Sequence, residues 1–239
     1  MKIEIWSDFV CPFCYIGKRR LELALDEFEH RDHVKIEFKS YELDPNAEAN
    51  PHQNIHEYLA SRKGMPLENA KQLNENLRKQ AKAVGLTYNF DTMQHTNTFD
   101  AHRVAKYAET KKLGKELTER LLQAYFTDSE LISDHETLKR LAIEIGLDGK
   151  EVEKLLDTKR FSNRVREDEE LARQIGVQGV PFFVFNEKYA VSGAQSQDVF
   201  AQVLEKIWEE ESKNPTLRSS NTSESKTSYC TGEDCDLDE

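Results

Sequence analysis

Cys11-Pro12-Phe13-Cys14 falls at a junction in the chain. The alternating segment Lys2-Ile3-Glu4-Ile5-Trp6-Ser7 before it reads as a β-strand. Pro12 to Glu29 after it reads as a helix, with Cys14, Leu21, Ala24, Leu25 and Phe28 near helical spacing. A second alternating stretch, Val34 to Lys39, ends at Asp44-Pro45 and completes a βαβ unit. Two cysteines three apart at the first strand-to-helix turn of such a unit point to a redox dithiol rather than to buried filler.

The position dictates different chemistry for the two thiols. Cys11 faces the unsatisfied N–H groups and positive dipole end of the helix, which favour thiolate over thiol, and it is expected to be exposed and to attack first. Cys14, one helical turn on, is close enough to form a disulfide and more enclosed, which suits a resolving thiol. Pro12 at the first helical position sets φ without losing a needed hydrogen bond. Pro12 and Phe13, between the thiols, are candidate substrate contacts. Asp8 either accepts a proton near the cysteines or hydrogen-bonds the loop.

From about Pro51 to Ile175 the pattern is helical only. Leu73, Leu77, Ala81 and Val84 define one face and Gly85 a stop. Ser133-x-x-Glu136 reads as a capping box, closed by Gly146. Strand character returns at Pro181-Phe182-Phe183-Val184-Phe185 and Tyr189-Ala190-Val191, and a last helix spans about Ser196 to Glu211. Beyond Ser212 almost nothing is apolar, so a disordered acidic tail is expected. The expected organisation is α/β: residues 1–45 and 176–211 build one domain, 46–175 are an all-helical insertion, and 212–239 are the tail.

Net charge −11 over 239 residues argues against a nucleic-acid partner, which requires clustered Lys and Arg. No run reaches the roughly 18 to 20 apolar residues of a membrane span, and alternation begins at once with no leader-like stretch ahead of it, so a cytoplasmic location is expected. There, four cysteines in two close pairs read as redox or metal groups rather than structural bridges.

Gly179-Val180-Pro181 precedes the returning strand. Local sequence leaves open an ordinary trans proline at a strand start and a cis bond beside the cysteines. Taken together, Cys-Pro-Phe-Cys after the first strand, the long helical insertion, Gly-Val-Pro-Phe-Phe-Val-Phe-Asn and Val191-Ser192-Gly193-Ala194-Gln195 resemble the DsbA-like thiol-disulfide oxidoreductases, in particular the FrnE-like branch, over about residues 1 to 211. The resemblance implies a thioredoxin-like fold with an inserted all-helical domain, Cys11 as nucleophile, Cys14 as resolving thiol and Pro181 in cis, with Val180 beside the substrate. Phe13 stands where the periplasmic enzymes of the family have a histidine that stabilises the thiolate, which argues against a strongly oxidising couple. Asn97-Thr98-Phe99-Asp100-Ala101-His102-Arg103 also resembles a motif of this branch. In the related kappa-class glutathione transferases and hydroxychromene carboxylate isomerases the corresponding helix borders the substrate cleft. Asn97 and His102 are therefore candidate substrate contacts; the bland alternative is that Asn97 caps a helix and His102 and Arg103 lie at the surface.

Cys230 and Cys235 sit among Glu233, Asp234, Asp236, Asp238 and Glu239, carboxylates that should raise their thiol pKa values. They are expected to act as a secondary redox pair. A flexible linker of about 19 residues reaches roughly 24 Å, enough to span a small domain. Ligation of one zinc by all four cysteines is the alternative, and no metal is expected. The composite expectation is a cytosolic protein-disulfide reductase or isomerase acting on protein or peptide disulfides. It needs no bound cofactor, and glutathione is a possible reductant. The rivals are a glutathione-dependent isomerase or transferase and a non-catalytic protease adaptor.

Overall fold

In the computed structural model, which describes residues 1–49 and 51–213, the alternation of Lys2–Ser7 becomes strand β1. Ile3 and Ile5 are directed to one side of the sheet and Trp6 to the other. After β1 come α1 (Pro12–Glu27) and β2 (Lys35–Ser40), which runs parallel to β1 in a register from Lys2 opposite Lys35 to Ser7 opposite Ser40. The helical stretch consists of α2 (Ile55–Lys63), α3 (Leu67–Lys82), α4 (Phe99–Thr110), α5 (Gly114–Phe126), α6 (His135–Glu144), α7 (Gly149–Leu156) and α8 (Ser162–Gln174). Strand β3 (Phe182–Phe185) then pairs antiparallel with β1, β4 (Tyr189–Ser192) pairs antiparallel with β3, and α9 (Gln197–Lys213) ends the described chain. The sheet order is β2-β1-β3-β4.

One face of the sheet buries Ile3, Ile5, Phe183 and Phe185 against Leu21 and Ala24 of α1 and Phe200, Leu204 and Ile207 of α9. Each of the larger side chains contributes about 1.5–3 kcal/mol by leaving water. A second core lies among the helices, around Tyr88, Phe90, Leu117, Leu121, Tyr125 and Phe126, and it takes in Phe9, Val10, Tyr15 and Ile16. The cysteine-bearing helix is thus held from two sides, by the sheet along Leu21 and Ala24 and by the helical layer along Tyr15 and Ile16.

The opposite face of the sheet is covered by the last helix of the helical stretch. Ala172 of α8 and the following Val177 cluster with Trp6, and Phe182 and Val184 pack against them. The Trp6 indole Nε1 donates to the Asp168 carbonyl at 2.9 Å, and Ser40 N–H donates to the Asp168 carboxylate, also at 2.9 Å. α8 therefore covers the sheet while it also packs on α4. Its sequence, SNRVREDEELARQ, is mostly charged, and its chief anchor is a buried aspartate, so no apolar pattern announced the docking.

Two local expectations also shift. On α3 the buried positions are Ala70, Asn74 and Ala81, while Leu73 is exposed, because Asn74 is drawn inward by the His56 ring at 2.9 Å. At α6 the cap is Asp134, which accepts from Thr137 N–H at 2.8 Å; Ser133 bonds instead to the Ala49 carbonyl at 2.5 Å.

Candidate active site

Cys11 is the N-cap residue of α1 and Pro12 its first helical residue, so the helix begins at the dithiol with no acidic group in its first turn. The positive end of the helix dipole is left uncompensated at Cys11. The turn is fixed by the Cys11 N–H bond to the Asp8 carbonyl at 3.2 Å and by the Tyr88 hydroxyl, which donates to the Pro12 carbonyl at 2.7 Å.

The Val180–Pro181 peptide bond is cis. It brings the Val180 carbonyl to 3.5 Å from Cys11 Sγ, which donates to it. This contact accounts for one departure from expectation: Cys11 is only 4 % exposed. Between the cysteines, Phe13 stands 42 % exposed, while Pro12 is half-buried. Gly17 makes the close approach possible. A Cβ there would lie 3.1 Å from Pro181 Cγ, 3.2 Å from the Phe183 ring and 3.3 Å from Ala194 Cβ.

Cys14 is buried deeper, at 2 % exposure, and both Cys11 and Cys14 are unbridged. Burial pushes its thiol well up from the usual cysteine range, and the neighbouring Cys11 sulfur adds to this; the Asp8 N–H and the Ser7 hydroxyl, both donating to Cys14 Sγ, pull the other way. Ser7 is a residue the sequence reading passed over. The signal was present, since Ser7 shares the strand face of Ile3 and Ile5, which is the face that meets α1.

Asp8 is 1 % exposed and serves the loop. One carboxylate oxygen accepts from Leu43 N–H at 2.8 Å and the other lies 3.3 Å from His102 Nε2. His102 is itself 3 % exposed, with its ring on Phe9 at a centroid distance of 4.7 Å. It lies beneath the active-site loop rather than on a substrate-facing surface, because a buried carboxylate needs a polar partner there. Arg103 is likewise no surface group: it is 4 % exposed and donates to the carbonyls of Leu155, Thr158 and Arg160, closing the C-terminal end of α7. Asn97 accepts from Phe99 N–H at 2.9 Å and donates to the Pro45 carbonyl at 3.3 Å, so it ties the loop after β2 to the start of α4. The structure thus brings together Cys11, Cys14, Pro12, Phe13, Val180 and Pro181, sets His102 and Asn97 behind them as supports, and leaves Cys230 and Cys235 outside the described residues. Among the described residues no group of His, Cys, Asp and Glu has the arrangement of a metal site, and no helix is long and apolar enough to cross a membrane.

A sheet in this order, with a dithiol opening the helix that follows its first strand, makes the chain a thioredoxin-like protein. Residues 2–205 match the DSBA-like thioredoxin domain, and the chain belongs to that family. It is similar to a probable DsbA oxidoreductase from Streptomyces coelicolor, with 36 % identity, TM-score 0.86 and 100 % of each chain covered. An uncharacterized protein of Bacillus subtilis, YwbO, is 28 % identical over 84 % of this chain and 94 % of its own. The cytosolic disulfide reductase DsbM from Pseudomonas aeruginosa, solved with GSH, shares the fold at TM-score 0.62 and 15 % identity, over 87 % of this chain and 100 % of that one.

Proposed function

We propose that the protein is a thiol-disulfide oxidoreductase of the cytoplasm, which reduces or isomerises disulfides in protein or peptide substrates. The observation that carries this reading is the placement of Cys11 at a helix N-terminus, within 3.5 Å of the Val180 carbonyl and one turn ahead of the buried Cys14. Cys11 attacks a substrate disulfide R–S–S–R′ and forms Cys11–S–S–R, and R′–S⁻ leaves. Cys14 then loses its proton and attacks Cys11, the Cys11–S–R bond breaks, and R–S⁻ leaves with the second electron pair. Glutathione returns the Cys11–Cys14 disulfide to the dithiol. Against a cytosolic poise between about −220 and −320 mV the couple stays mostly reduced, which favours reductase or isomerase over oxidase. The backbone at Val180 supports an extended substrate segment, a form of strand addition. Cys230 and Cys235 act as a secondary relay in this reading, and truncation after residue 213 should slow recovery of oxidised Cys11 by glutathione.

The test is insulin reduction with glutathione as donor. The parent protein should be active, Cys11→Ser inactive, and Cys14→Ser should accumulate substrate bonded to Cys11. A parent protein that neither reduces insulin nor yields mixed disulfides in the Cys14→Ser form would remove this reading in favour of an adaptor.

A further inference from the structure

Resolution of the mixed disulfide requires Cys14 to give up a proton while it is enclosed, and an unassigned pocket borders its neighbour Ser7. Between β1, β2 and α4 lies a small, partly open pocket bordered by Ser7, Phe9, Ser40, His102, Lys106 and Thr118. It leaves about 10 Å³ open to the centre of a water-sized sphere. That is the room one water takes on this scale, ~10–15 Å³. Ser40 is 2 % exposed and its hydroxyl has no hydrogen-bond partner, a costly arrangement unless a small polar molecule meets it. Ser7 and Ser40 are register partners on parallel strands and so project to the same face. The Ser7 hydroxyl also reaches Cys14 Sγ. His102 lines the other side of the cavity and holds Asp8 at 3.3 Å.

We propose that this cavity carries a single water, and that Ser7, the water and His102 form the route by which the Cys14 proton leaves. The proposal rests on the dithiol reading above and deepens it, with Ser7, Ser40 and His102 as positioning residues for the resolving step. As Cys14 Sγ forms its bond to Cys11, its proton passes to Ser7 Oγ while Ser7 gives its own proton to the water. The water gives one to His102, leaving an imidazolium beside the Asp8 carboxylate. The Cys11–S–R bond breaks, R–S⁻ takes a proton from solvent, and His102 later returns its proton to solvent. The charged groups facing His102 are Asp8 from the loop after β1, Glu42 from the loop after β2, and Lys106 on its own helix.

The experiment reacts the reduced full-length protein with 5,5′-dithiobis(2-nitrobenzoate) under stopped flow. The first release of coloured thiolate reads attack by Cys11 and the second reads resolution by Cys14. Ser7→Ala should leave the first phase unchanged, slow the second by roughly tenfold or more, and move the pH midpoint of the second phase upward, since a hydrogen bond to a charged sulfur is lost. Ser40→Val, which fills the cavity without touching either cysteine, should slow the second phase alone, with thermal unfolding confirming a folded protein. A second phase unchanged in Ser7→Ala or in Ser40→Val would overturn the relay. Equal slowing of both phases would do so as well, because it would signal general disruption of the site. A parent protein with no first phase would instead sink the assignment of Cys11, and the relay with it.

Discussion

The two thiols differ in burial and in what surrounds each sulfur, so their reactivity should separate with pH. Cys14 stays protonated as pH rises through the ordinary cysteine range, because burial, the largest cause, outweighs the donors Ser7 and Asp8. A brief iodoacetamide pulse at pH 8 should therefore label Cys11. In Cys11→Ser the remaining Cys14 should label at least about tenfold more slowly and speed up only well above pH 9, as read by peptide mass spectrometry. Faster labelling of Cys14 would reverse the roles. At this scale the sequence was legible where spacing alone decides, as with Cys11, Cys14 and Pro12. It was not legible where a residue's partner lies far along the chain. His102 meets Asp8 across 94 residues, and Cys11 was expected to be exposed because nothing near it foretells that Val180 lies over it.

At the scale of elements, α1 lies so close to Pro181 and Phe183 that a Cβ at residue 17 would press on both. Gly17→Val would drive two methyl groups into Pro181, Phe183 and Ala194, and overpacking of this kind costs about 1–3 kcal/mol. Urea unfolding should show that loss together with slower insulin reduction, whereas a wild-type midpoint would mean that α1 yields easily. The pairing of β1 with β2 carries a surface ion cluster. Burial opposes ionisation of Glu37, but hydrogen bonds from Lys35 and Lys2 outweigh it and hold the carboxyl at about 2. A lowered carboxyl stabilises the fold above its unfolded value of about 4.3, and that contribution disappears as pH falls from there towards 2. Glu37→Gln should flatten this part of the acid-unfolding curve by less than about 1 kcal/mol, since the pair faces solvent. Strand and helix limits were largely legible, because alternation and helical spacing are local. β1 came out as read, and α1 lost only its last two positions, Phe28 and Glu29. The α3 face and the docking of α8 were not, because Asn74 and Asp168 are polar residues buried by specific partners, which no hydropathy pattern encodes.

For the whole molecule, the sheet and the helical layer meet at buried charges as well as at apolar side chains. Lys106 of α4, 5 % exposed, lies 2.7 Å from the Asp168 carboxylate and donates to the Phe38 carbonyl at 2.8 Å, so one ammonium group ties α4 to both α8 and β2. Lys106→Met should cost about 1–3 kcal/mol in denaturant unfolding, because Asp168 then keeps only the Ser40 N–H and the more distant Lys39 at 3.6 Å. A cost under about 1 kcal/mol would show that apolar packing alone holds the layers together. The organisation into a split sheet and a helical segment between its halves was readable from the order of periodicities, whereas the double duty of α8 was not. The contact between Cys11 and Val180 spans 169 residues of sequence. A chain growing from the ribosome therefore presents its dithiol 169 residues before the segment that covers it. During that interval the Cys11 sulfur lacks the cover that Val180 gives it in the folded chain.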